Sequence, residues 1–108
     1  MLALDDIPCA MMITDPEGHI VRLNREFLAL IEGDEAPWRG RSMDDLLTPA
    51  SRIFSQTHLF PMLHHAGAVR EVYLHLRGVD GETVPVMVNA FRKPLEGGEN
   101  IVWAIFVA

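Results

Sequence analysis

From Glu71 to Phe91 the chain alternates, and this constrains its fold more than any other stretch of its 108 residues. Val72, Leu74 and Leu76 interleave with Glu71, Tyr73, His75 and Arg77; Val84, Val86, Val88 and Ala90 interleave with Pro85, Met87, Asn89 and Phe91. A period of two sends successive side chains to opposite faces of a strand, so each stretch predicts a strand with one aliphatic face. Val79-Asp80-Gly81-Glu82 predicts the tight turn between them, because glycine takes the positive φ that such turns demand. Pro94–Asn100, with two glycines, predicts a second hairpin loop, and Ile101–Val107 the strand after it.

The first half carries different signals. Residues 2–7 suit a short amphipathic turn or helix stopped at Pro8. Cys9–Thr14 is a short apolar run of the length of a buried strand. Asp15-Pro16-Glu17-Gly18 is a turn, since proline presets φ early in it and glycine supplies a positive φ late. His19–Leu23 then returns as a strand. Asn24 is a helix N-cap ahead of Phe27, Leu28, Leu30 and Ile31, which share one helical face, with Gly33 placed to end the helix. Residues 34–41 read as a loop. Ser42 caps Met43–Leu47, and Thr48-Pro49 opens a further helix running to about His65, with Pro61 expected to kink or break it. Strands in hairpins with helices set apart predict an α+β domain: a five-stranded antiparallel sheet with short helices covering one face.

Composition narrows the function classes. The net charge of -6 opposes sequence-independent nucleic-acid binding, which needs Lys and Arg against phosphates, and opposes a polybasic membrane contact. Cys9 is the single cysteine, so no internal disulfide can form and a reducing, cytoplasmic setting is expected. The longest apolar run, Val102–Ala108, is far short of the ~20 residues of a membrane span. There is no Gly-x-Ser-x-Gly elbow or phosphate-binding glycine loop, and the adjacent His64-His65 pair does not share a helix face as metal ligands four apart would. Asp44-Asp45 is read as helix-start charge. No catalytic residue is assigned.

The order of motifs resembles a PAS domain across residues 5–108, taken as one domain with 1–8 as a flanking segment. Asp15-Pro16-Glu17-Gly18, then Ile20-Val21, then Asn24 opening a helix that ends at Gly33, resembles the first half of that family. Gly40-Arg41-Ser42 before a short helix resembles its next segment, and Asp80-Gly81 between alternating strands its closing hairpin. Thr48-Pro49-Ala50-Ser51-Arg52, continuing to Thr57-His58, is similar to bacterial members that precede histidine kinase or serine phosphatase modules. The resemblance implies a bacterial sensory input domain that is not itself an enzyme. It would bind a small apolar or amphipathic ligand, or dimerise, and so regulate an effector in the same chain, with a two-component histidine kinase expected.

Cofactor expectations also follow from the resemblance. Flavin-binding members that form a cysteine adduct carry Gly-Arg-Asn-Cys where this chain has Gly40-Arg41-Ser42-Met43, so flavin is expected to be unlikely. Haem-binding members take an imidazole from the long helix, which would make His58 the ligand of a haem gas sensor, a minor alternative with no other metal expected. The expected ligand pocket is lined by Phe27, Leu30, Ile53, Phe54, Val72, Leu74, Val86 and Val88, with Arg52, Thr57 and His58 orienting the ligand. The same side chains would equally make a filled core. The opposite sheet face is expected to be apolar through Tyr73, Met87, Phe91 and either Trp103 or Phe106, Trp103 being preferred. With Leu4 and Ile7 of the flanking segment, it is the expected homodimer face. A ligand-free dimerisation module is the alternative reading.

Overall fold

The computed structural model describes residues 2–78, 80–95 and 98–108. Five antiparallel strands form one sheet: β1 (Ala10–Thr14), β2 (Ile20–Leu23), β3 (Ala68–Arg77), β4 (Thr83–Leu95) and β5 (Gly98–Val107). They lie in the order β2-β1-β5-β4-β3, so the last strand takes the centre between the two hairpins. Helices α1 (Arg25–Ile31), α2 (Pro49–Phe54) and α3 (Phe60–Ala66), two short 3₁₀ turns and a π turn occupy the connection from β2 to β3. The fold is α+β, with short helices against one face of the sheet.

Asn24 locks the first half together. Its side chain is fully buried and uses every hydrogen-bonding position it has. Oδ1 accepts from Phe27 N–H at 3.0 Å, capping α1, and from Met11 N–H at 2.9 Å on β1. Nδ2 donates to the carbonyls of Cys9 at 2.9 Å and Leu4 at 3.2 Å, fixing the flanking segment. Asp5 adds a second tie, its carboxylate accepting from Arg25 N–H at 2.8 Å. At the other end of α1 the left-handed residue is Glu32 (φ 53), one position before the expected glycine.

Pro61 does not break the long helix. A π turn, Ser55–Leu59, joins α2 to α3 immediately before it, with Phe60 N–H reaching Ser55 O. Proline removes one N–H and crowds the carbonyl four residues back, so a wider turn just ahead absorbs both defects. The wider turn also holds Ser51, Ser55, Leu59 and Leu63 on one buried stripe. Ser51 Oγ accepts from His75 N–H at 2.9 Å, and Ser55 Oγ donates to Asp44 Oδ1 at 3.0 Å. Gln56 Nε2 reaches the other Asp44 oxygen at 3.1 Å.

The second hairpin is longer than the sequence suggested. Pro94–Asn100 reads as a loop, yet β4 and β5 stay paired out to Leu95 opposite Gly98. Arg92 N–H points to Gly67 O, and the nitrogen of Pro94, two residues on, faces the same way beyond the start of β3. No ladder bond is lost there, which is how a proline survives inside a strand. Pro85 lies just past the last rung of the β4–β5 ladder, Val86 opposite Val107, where its carbonyl accepts from Ala108 N–H. Of the expected Val79–Glu82 turn, Val79 lies outside the described residues; Gly81 takes φ 78.

Both lateral edges of the sheet are covered in part. Along β2, Ile20 exchanges backbone hydrogen bonds with Gly40 and Arg41, each at 2.8 Å. Along β3, His75 O accepts from Thr48 N–H at 3.0 Å while His75 N–H goes to Ser51. A bulge between Val69 and Val72, with Glu71 at φ 55, bends the rest of that edge.

Candidate functional site

Two surfaces of the sheet could carry function, and pairing register assigns residues to each. Inward lie Met12, Thr14, Leu74, Leu76, Val86, Val88, Ala90, Ile101, Trp103 and Ile105, all buried. Phe27, Leu46, Leu47, Leu59 and Leu63 pack on them from the helical layer. Trp103 is 0% exposed, its Nε1–H donating to Thr14 Oγ1 at 3.0 Å. The ring of Phe60 lies 5.8 Å from it, centroid to centroid. Gly18 (φ +90) rests on the same ring: a Cβ there would come within 2.8 Å of Phe60 Cζ. His64 bonds Pro16 O at 3.0 Å, docking the 15–18 turn on α3.

Trp103 therefore corrects the expected dimer face. It pairs with Met12 on one side and Ala90 on the other, both inward residues, whereas Phe106 pairs with outward Met87. A one-residue uncertainty in register exchanges the two faces, and hydrophobicity cannot resolve it in a strand apolar on both sides.

The residues expected to line a ligand pocket divide. Phe27, Leu74, Val86 and Val88 are buried together, and Leu30, Phe54 and Val72 pack half-buried against them. Ile53 is 63% exposed, and Thr57 and His58 are exposed too, so these three do not face the sheet in this structure. Thr57 Oγ1 donates back to Ile53 O at 2.8 Å, and the His58 ring stacks on Phe54 at 5.2 Å. Arg52, half-buried, donates through Nε to Asp44 O at 3.2 Å. Ser51 and Ser55 take the inside instead, held by the bonds to His75 and Asp44, and the π turn keeps Leu59 and Leu63 in line with them. The sequence reading missed both serines; their spacing of four to Leu59 and Leu63 was the available signal.

The outward face is read in rows. Tyr73, Met87 and Phe106 stand side by side on β3, β4 and β5; Asn89, Ala104 and Met11 form the next row, and Phe91, Val102 and Ile13 the third. Tyr73, Phe91 and Phe106 are exposed. The polar member of this centre, Asn89, is committed inside the fold, its Oδ1 accepting from Glu71 N–H at 2.8 Å across the bulge. Among the described residues, charge enters at the margins, with Arg22 beside Ile13, Lys93 opposite Asn100, and Arg70 at the β3 bulge beside Asn89, Phe91 and Ala104. Leu4 and Ile7 are half-buried in the flanking segment that Asn24 and Asp5 hold.

Charged groups elsewhere brace loops. For Glu35, burial alone would raise the carboxyl pKa, but the Leu23 N–H and the Arg22 and Arg39 guanidiniums outweigh it and hold it below the usual value. Asp15 is lowered likewise: burial opposes, while hydrogen bonds from His19 and Glu17 prevail.

Comparison with known proteins gives this geometry a family. The family model described as PAS domain matches residues 8–108. The phosphoserine phosphatase RsbP of Bacillus subtilis (strain 168) is 31% identical over 90 residues, 83% of this chain and 22% of that protein. The chain thus spans less than a quarter of the curated relative that it matches. A PAS domain from a two-component sensor histidine kinase superposes with a TM-score of 0.81 at 8% identity, over 97% of this chain and 89% of that one. Two light-oxygen-voltage structures share the fold. One, a study of a flavin analogue, has a TM-score of 0.79 at 20% identity, covering 94% of this chain and 78% of that one. The other, from Rhodobacter sphaeroides, has a TM-score of 0.82 at 15% identity, covering 95% and 62%.

These last two likenesses overturn the expectation that flavin is unlikely. Met43 in place of a cysteine bears on adduct formation only; it does not bear on non-covalent binding by the same backbone layout. With the family model spanning nearly the whole chain, the protein belongs to the PAS domain family and is a sensory, signal-transducing domain, regulatory rather than catalytic.

Proposed function

We propose that this PAS domain is the input module of a multidomain regulator, and that it works by pairing its outward sheet face with that of a second copy. The observation that carries the reading is the three-row apolar face on β1, β5, β4 and β3, uncharged at its centre. Aromatic residues and Met are the types enriched in interface cores, and a face with no central charge can meet its own copy without like-charge repulsion. Four strands about 4.8 Å apart and three rows about 7 Å apart give a flat patch of roughly 400 Å² per copy. That is about half of a standard interface, so the dimer should be of micromolar strength and sensitive to small changes in sheet geometry. The RsbP likeness supports a phosphatase effector, and the kinase-derived fold neighbour supports a histidine kinase. The lone Cys9 suits a reducing compartment, and a cytoplasmic location is part of the proposal.

Light scattering on the purified chain at about 100 μM tests the pairing. A dimer that becomes monomeric in Phe106→Asp, with unchanged circular dichroism, is the expected outcome; a monomeric parent at that concentration refutes it.

A second reading is favoured by the light-oxygen-voltage likeness: the inner layer opens to hold a small ligand, with flavin a class to test. Flavin mononucleotide and riboflavin are suitable probes. Stabilisation rising as RT ln(1 + [L]/Kd) identifies an occupant, and a melting temperature unmoved by saturating probe excludes that compound.

A further inference from the structure

The end of α1, the 3₁₀ turn Ala36–Trp38 and the root of the β3–β4 hairpin enclose a cleft of about 390 Å³, within the size range of small-molecule sites. Ile31, Trp38, Asp45, Arg77 and Gly78 line it. Ile31, 3% exposed, makes an apolar floor. Trp38 is a half-buried wall with the Arg41 guanidinium 4.3 Å from its ring centre. Gly33 adjoins the indole nitrogen without crowding it: a Cβ added there would stand in van der Waals contact, 3.9 Å from Nε1.

The polar groups of the cleft are unequally committed. Asp45 is paired with Arg41 at 3.3 Å, so these two charges offset each other. Among the described residues, the indole N–H of Trp38 and the guanidinium of Arg77 have no hydrogen-bond or ion-pair partner. The cleft therefore presents a surplus positive charge and a free donor beside an apolar floor and a flat aromatic wall.

We propose that this cleft binds a small amphipathic monoanion, a carboxylate on a flat apolar body. Arg77 takes the carboxylate through the paired N–H geometry that guanidinium offers, Ile31 and Trp38 take the body, and the Trp38 N–H takes a second acceptor. This site is separate from the inner layer and from the outward sheet face, so its success or failure is independent of how the domain dimerises.

Titration followed by two-dimensional ¹⁵N NMR tests it, with benzoate and indole-3-acetate as probes and their neutral amides as controls. The expected result is a saturable shift of the Trp38 indole N–H and the Gly78 amide by the acids, with the Trp103 indole N–H stationary. Arg77→Gln, at an exposed position, should weaken the acids by about tenfold or more. Three results would overturn the proposal: no saturable shift by about 10 mM probe, equal binding of acids and amides, or undiminished binding by Arg77→Gln. Shifts centred on Trp103 would also overturn it, by moving the occupant to the inner layer.

Discussion

Replacing Asn24 by aspartate separates two roles that the parent residue combines. Aspartate caps helices as well as asparagine does, so a residue serving only as N-cap would accept the change at little cost. In this structure the amide nitrogen lies 2.9 Å from Cys9 O and 3.2 Å from Leu4 O. An aspartate oxygen placed there would face two carbonyl oxygens with no proton between them. The two lost bonds cost about 1 kcal/mol each, and leaving the Cys9 carbonyl unsatisfied in a partly buried place adds about 1–2 kcal/mol. The substitution should therefore destabilise by about 3 kcal/mol at neutral pH, a large share of the ~5–15 kcal/mol typical of a domain. Asn24→Ala, which also loses the cap on Phe27 N–H and the bond from Met11 N–H, should cost about 1–2 kcal/mol more.

The pH dependence gives a sharper signature. A buried carboxyl facing carbonyl oxygens has its folded-state pKa raised, because the protonated form alone can donate to them. With the folded value above the unfolded one, stability is fullest below the unfolded pKa and falls as pH rises through the folded pKa. Asn24→Asp should thus be closer to the parent at pH 4 than at pH 7. Urea denaturation at both pH values measures this. A variant within about 0.5 kcal/mol of the parent at pH 7 would refute the clamp and leave Asn24 a simple cap.

Two further tests address backbone and charge. Glu32→Gly should stabilise by about 0.5–1 kcal/mol, because a non-glycine residue holds the left-handed position that ends α1; an unchanged or lowered urea midpoint would contradict this. Glu35 has a lowered folded-state pKa, so its stabilisation is present above the usual carboxyl value of 4.5 and is lost as pH falls through the folded value. Glu35→Gln should be less stable than the parent at pH 7 and lose less on acidification, and parallel acid-unfolding curves would reject that role.

Much of the fold was legible because local signals agreed with each other. The alternation from Glu71 to Phe91, the Asp15–Gly18 turn and the Asn24 cap each have one economical physical reading, and together they order the elements. What escaped depended on neighbours that are distant in sequence. Pro94 marks a loop only if its nitrogen needs a partner, and where β3 begins decides that. Trp103 is ambiguous because both faces of β5 are apolar, and its pairing with Met12 and Ala90 alone settles the side. Ile53, Thr57 and His58 were expected inward on a helix of uniform pitch. The π turn before Pro61 changes that pitch, and the buried side is instead marked by the spacing of four through Ser51, Ser55, Leu59 and Leu63. Thr14 and Asn24 are buried polar residues whose partners, Trp103 and the Leu4 carbonyl, lie 89 and 20 positions away.

The covered edges of the sheet bear on how copies of this domain accumulate. Open strand edges permit growth by addition of one chain after another, without limit. Here Gly40 and Arg41 occupy the backbone of Ile20 on one flank, and Thr48 and Ser51 that of His75 on the other, with the Glu71 bulge bending what is left. Pairing through the flat outward face instead consumes that face in a single event. With the face pairing proposed above, such an architecture would disfavour fibrous growth and favour assembly that stops at two, so a crowded cell would hold discrete signalling pairs rather than filaments.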